Sequence, residues 1–135
     1  MKTRHIALVA SLIPVLLAGC VSNPTSLATV GPDTRGRLQA GPDGYLQVYT
    51  ATETVEVDFK TDFHPHMGYS INDPTGKSSK FVANHTSDLD ESPDKVELPP
   101  GNYTIVAEST WQGLVSVPVV ISKGRTTVVR LDDNG

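Results

Sequence analysis

From Gly44 onward, apolar and polar residues alternate with a period of two, and no other feature restricts the possible folds so tightly. Leu46 and Val48 alternate with Tyr45, Gln47 and Tyr49. Val55, Val57 and Phe59 alternate with Thr54, Glu56 and Asp58, and Tyr103, Ile105 and Ala107 with Thr104, Val106 and Glu108. Successive side chains of an extended chain point to opposite faces, so each run offers one face for burial. Met67, Tyr69 and Ile71 are followed by Asn72-Asp73-Pro74-Thr75-Gly76, whose residue types favour a turn. Lys80–Ala83, the pair Val96 and Leu98, Leu114–Ile121 and Arg125–Leu131 complete the set of strand candidates. Pro118 cannot donate to a ladder, which predicts an edge or a bulge there. After residue 20 no helical period persists for three turns.

These runs, spaced by turn signals, predict an all-β domain over residues 44–132. The expected architecture is a single antiparallel β-sandwich of roughly seven to eight strands. Its expected core comprises Leu46, Val48, Val55, Val57, Phe59, Ile71, Val96, Leu98, Tyr103, Ile105, Val117, Val119, Ile121, Val129 and Leu131.

The N-terminal part is different in kind. Met1–His5 carries two positive charges and no negative one, and Ile6–Ala18 is apolar apart from Ser11 and Pro14. As a helix this stretch would reach about 20 Å, short of the ~30 Å hydrocarbon core of a bilayer. A secretory signal over residues 1–19 fits better than a membrane span. Leu17-Ala18-Gly19-Cys20 resembles the lipobox of bacterial lipoproteins. The resemblance implies cleavage between Gly19 and Cys20, a diacylglycerol on the Cys20 sulfur and an acylated new amino terminus. Two or more chains, at about 0.8 kcal/mol per buried methylene, anchor stably where one is marginal. Cys20 is also the only cysteine. An ordinary secreted chain would carry it as a lone reactive thiol.

Residues 20–43 are rich in Pro, Gly, Ser, Thr and Asn, and repeat only the turn tripeptide Gly31-Pro32-Asp33 as Gly41-Pro42-Asp43. Composition predicts a flexible linker after the cysteine that the lipobox resemblance implies is lipidated. Val21, rather than aspartate, follows the cysteine. By analogy with enterobacterial sorting, this implies the outer membrane, with the domain facing the periplasm.

Charge excludes some partners. Lys2 and Arg4 leave with the leader, so the remaining chain has nine basic residues against fifteen acidic ones, a net charge of −6. Neutralising nucleic-acid phosphates needs a basic face, which this chain does not offer. The expected contacts are therefore the membrane, through the acyl chains, and an envelope protein.

Further along, Leu98-Pro99-Pro100-Gly101-Asn102-Tyr103-Thr104-Ile105 resembles the Leu-Pro-x-Gly-x-Tyr-x-(Val/Ile) signature of carboxypeptidase-regulatory-like (transthyretin-like) domains. Val119–Leu131 is similar to that family's closing strand pair. The resemblance spans residues 94–131 and implies a structural or interaction module without catalytic residues, with Tyr103 dropping its ring into the core.

Several side chains could still carry chemistry. His64-Pro65-His66 puts two imidazoles on one side of an extended segment, and with His85 they could hold zinc or copper if they converge. The alternative is three loop histidines. Asp88, Asp90, Glu91 and Asp94 form an acidic loop without the spacing of a calcium hand. Trp111 sits at an expected hairpin tip, where it could contact a glycan, together with Tyr45, Tyr49 and Tyr69 if these share a face. Cross-strand aromatic pairs are also ordinary sheet packing. There is no Gly-x-Ser-x-Gly, His-Glu-x-x-His or phosphate-loop motif. The expectation is a non-enzymatic protein without a cofactor.

Overall fold

The computed structural model describes residues 22–133. The expected leader over residues 1–19 and the expected lipidation site Cys20 lie outside the described residues. Within them the chain is all-β, with ten strands and no helix. The strands are β1 (Thr25–Ser26), β2 (Gly44–Tyr49), β3 (Val55–Asp58), β4 (Thr61–Phe63) and β5 (Tyr69–Asn72). They continue with β6 (Ser79–Val82), β7 (Lys95–Leu98), β8 (Gly101–Ser109), β9 (Gly113–Ile121) and β10 (Thr126–Arg130). They form a five-stranded sheet in the order β1-β9-β8-β5-β6, a three-stranded sheet β10-β2-β7, and the separate hairpin β3-β4.

Alternation sets which face of each strand is buried. In β2, Leu46 and Val48 are inaccessible to solvent while Tyr45, Gln47 and Tyr49 face outward. In β9, Val115, Val117, Val119 and Ile121 are buried, and β8 contributes Ile105 and Ala107. These side chains join Tyr69, Ile71, Val82, Leu98, Val129 and Leu131 in one cluster drawn from both larger sheets. At about 1.5–3 kcal/mol for each fully buried large aliphatic side chain, this cluster is the main source of stability.

The structure differs from the sequence-based expectation in the number and pairing of strands. Both larger sheets are mixed, because β10 pairs with β2 in parallel and β1 pairs with β9 in parallel. The expected strand beginning at Val55 becomes a hairpin that belongs to neither larger sheet. Val57 is 54% exposed and Phe59 fully exposed, and neither is core. Phe59 and Lys60 form the turn, held by Asp58 Oδ1 accepting the Lys60 N–H at 2.9 Å, and the register slips between Glu56 and Asp58. Alternation here is real, but no second layer covers the apolar side. Val55 is half-buried, and Val96 and Tyr103 pack at the core margin. Tyr103 turns its hydroxyl back to donate to Pro99 O at 2.8 Å instead of entering the core.

The segment expected to be a flexible linker is also docked. Thr25 and Ser26 lie beside Val115 and Ser116, and Leu27 donates to Ser116 O at 2.8 Å. Val30 donates to Pro118 O at 2.9 Å and accepts from Val120 N at 3.0 Å, and Gln39 donates to Gly124 O at 2.8 Å. Composition missed this because β9 offers a row of free backbone groups, which can order a chain that has no core face of its own. Pro118 has no N–H to return toward this segment, and pairing lapses between Ser26 and Val30 around it.

Candidate functional site

One end of the molecule gathers the irregular segments. β2 ends beside the end of β8, since Ala51 donates to Glu108 O at 2.9 Å. Leu131, just past β10, donates to Tyr49 O at 2.7 Å and accepts from Thr110 N at 2.9 Å. Tyr69 lies opposite Val82, so the loop after β6 leaves from the same end. Hence the 52–66 hairpin, the 83–94 loop and the 110–112 turn all project from it.

A buried polar cluster organises the roots of these segments. Asn84, inaccessible to solvent and at φ 71°, is the one non-glycine residue with positive φ among the described residues. Asparagine tolerates that conformation better than most residues. Its Nδ2 donates to Val48 O at 2.9 Å and Met67 O at 3.2 Å, and its Oδ1 accepts from Asp94 N at 3.1 Å. Thr50, equally buried, donates its hydroxyl to Met67 O at 2.8 Å. His66 Nδ1 lies 2.7 Å from Thr50 O, which places a proton on that nitrogen. The cluster fixes where the hairpin and the loop begin.

The three histidines do not come together. His66 is buried in this cluster, His64 is exposed with Nδ1 3.5 Å from Thr54 Oγ1, and His85 Nδ1 lies 3.2 Å from Ser87 O. Among the described residues no group of three His, Cys, Asp or Glu side chains is placed to hold a metal. In the acidic loop, Asp90 bonds within the loop and Glu91 reaches the 52–66 hairpin. Asp90 Oδ2 accepts from the Thr86 hydroxyl at 2.7 Å and Oδ1 from Ser92 N at 3.0 Å, while Glu91 Oε1 accepts from His64 N at 2.8 Å. The Thr86 hydroxyl, followed by the amides of Ser92 and Thr86, holds the Asp90 carboxyl below its usual pKa.

The aromatic candidates separate. Tyr69 is buried in the core with no partner for its hydroxyl, so it offers nothing to a ligand. Burial, with a smaller contribution from the Asp94 charge, raises its pKa well above the usual phenol range. Tyr45 and Tyr49 share the outer face of the three-stranded sheet, each under a cation. Lys95 Nζ is 4.6 Å from the Tyr45 ring centre, and the Arg130 guanidinium is 4.2 Å from that of Tyr49. The Tyr49 ring also meets His66 edge-on at 5.4 Å.

Trp111 lies in the 110–112 turn and is 63% exposed. With Leu27, Gln112, Arg130 and Asp133 it borders an open groove of about 380 Å³. Arg130 thus reaches both the Trp111 groove and Tyr49, and ties two of the candidate aromatics into one region. Tyr45 lies at the opposite end of β2. Sequence reasoning missed Arg130 because its neighbour is set by the parallel β10–β2 register, Arg130 opposite Tyr49. It also missed Phe59, whose placement between Asp58 and Lys60 was the available sign of a turn. Comparison with family models, with curated proteins and with solved structures gave no match for this chain.

Proposed function

We propose that this chain is a lipid-anchored envelope protein whose body is a two-layer β-sandwich and which works as a non-catalytic protein-interaction module. The lipobox-like run ending in Cys20 supports the anchor and a position at the outer membrane facing the periplasm. The single cluster shared by the five- and three-stranded sheets supports the two-layer reading. The Leu98–Ile105 run supports kinship with transthyretin-like domains.

The observation that carries the interaction role is Phe59, fully exposed at the tip of a hairpin that stands outside both larger sheets. Burying such a side chain against a partner contributes about 1.5–3 kcal/mol. Glu56, Asp58 and Asp62 surround it with negative charge, Lys60 being the hairpin's one lysine. The partner surface that fits is an apolar pocket with a basic rim. Replacing Phe59 by a photocrosslinking phenylalanine analogue in intact cells tests this. A discrete adduct with one envelope protein is the expected outcome. No adduct from a normally accumulated, membrane-associated protein overturns the interaction role.

A further inference from the structure

We infer that the Trp111 end of the domain rests against the lipid surface, with the Trp111 indole and Leu114 at the level of the headgroups. This rests on reading Cys20 as the lipid-bearing residue. The path of the N-terminal segment carries the inference. β1 runs parallel to β9 with Thr25 beside Val115, so the chain preceding Thr25 heads back toward the 110–112 turn. Cys20 is five residues before Thr25. Even fully extended, five residues span at most about 18 Å. β9 alone, nine residues long, covers roughly 30 Å at a strand's rise. The acyl chains are therefore held at the Trp111 end, and the Ser122–Arg125 turn is the remote end.

The surface at that end fits a bilayer boundary. Trp111 is 63% exposed and Leu114, two residues past the turn, is 40% exposed. Leu89, also exposed, belongs to the 83–94 loop that projects from the same end. Indole, with an apolar body and one N–H donor, favours the membrane–water interface. The same end carries Asp132 and Asp133 beside Arg130, together with the acidic hairpin. A surface of low net charge suits it best, and anionic lipid weakens the contact as salt is lowered.

Trp111 is the only tryptophan, so the fluorescence of the full lipidated chain reports this site alone. The protein is extracted from bacterial membranes and reconstituted into phosphatidylethanolamine–phosphatidylcholine vesicles, with and without acyl chains brominated near the glycerol or near the methyl end. The expected result is emission shifted to shorter wavelength and quenched severalfold by the shallow bromines, less by the deep ones. Flotation with the vesicles but unquenched Trp111 overturns the inference and leaves the anchor intact. Failure to float, with no lipid found on Cys20, overturns the anchor reading and the inference together. A Trp111 response to soluble cell-wall sugars without quenching by lipid also overturns it, and assigns the groove to a glycan. Phe59→Trp in a Trp111→Phe chain gives the corresponding reading for the hairpin. Quenching of that probe alone overturns the assignment to the Trp111 turn.

Discussion

Asn84 Nδ2 donates to the carbonyl oxygen of Val48 at 2.9 Å, joining the residue two positions beyond β6 of one sheet to the penultimate residue of β2 in the other. The same side chain reaches Met67 and Asp94. Alanine at this position would orphan the Val48 carbonyl and the Asp94 amide, and leave Met67 O with the Thr50 hydroxyl alone, in a backbone conformation it dislikes. Each unsatisfied group costs about 1–3 kcal/mol, relieved where water can enter. Asn84→Ala is expected to lower the unfolding free energy by about 3 kcal/mol, measured by urea denaturation. Asn84→Asp, which sets a carboxylate against two carbonyls, is expected to be at least as damaging.

Tyr69 gives the opposite case. Its ring fills the core, but its hydroxyl is buried without a partner. Tyr69→Phe removes a desolvated donor while keeping the packing, and the unfolding free energy from urea denaturation is expected to stay level or rise, by up to about 1 kcal/mol. Tyr69→Ala, which empties the site, is expected to cost about 3–5 kcal/mol.

The docked N-terminal segment is testable by hydrogen exchange. Val120 N–H donates to Val30 O. Removing the residues between Cys20 and Gln39 frees that amide, which is expected to exchange much faster, while Ile105 and Val117 in the centre of the β8–β9 ladder keep their protection. Equal protection of Val120 with and without the segment would show that it does not stay docked in solution.

Gly124 combines φ +69° with a close approach, since a Cβ there would lie 2.6 Å from Gln39 O. Gly124→Ala is expected to cost about 1–3 kcal/mol through backbone strain and displacement of the segment that ends at Gln39. Phe59→Ser, by contrast, is expected to leave the unfolding free energy within about 0.5 kcal/mol of wild type, because the ring contributes nothing to the core.

Asp90 sets a pH dependence for the 83–94 loop. Its folded-state pKa is depressed, chiefly by the Thr86 hydroxyl, so its contribution is present above the ordinary aspartate value of about 3.9 and is lost as pH falls through the lower folded value. Amide resonances of Thr86 and Ser92 are expected to hold steady down to about pH 4 and to move together below it. Asp90→Asn is expected to abolish that acid transition.

Much of the fold was legible in the alternation itself. The inward residues of β2, β8, β9 and the end of β10 follow directly from period two, because these strands contribute to one buried cluster. Val55, Val57 and Phe59 show the same pattern and fail, since a hairpin outside the larger sheets has nothing opposite its apolar side. The docking of residues 25–39 was hidden for a different reason: it depends on backbone groups of β9, which every residue except proline supplies alike. Of the candidate site, Trp111 at a hairpin tip was readable from Trp111-Gln112-Gly113 between two strand patterns. Its neighbour Arg130 required the register of a parallel pair, and Asn84 required a left-handed backbone position, neither of which leaves a local trace. The histidines were read from spacing alone, and Thr50 O holds His66 away from the other two.

The two parallel pairings carry a consequence for biogenesis. β10 completes the sheet that β2 begins, and β9 receives β1, so both early strands wait for partners made about eighty to ninety residues later. A chain crossing a membrane N-terminus first cannot close either seam until its last strands have emerged. Such distant pairing places folding in the slow, millisecond-to-second range. Until then β2 and the β1 segment expose unpaired edges, the kind of surface that pairs with other chains.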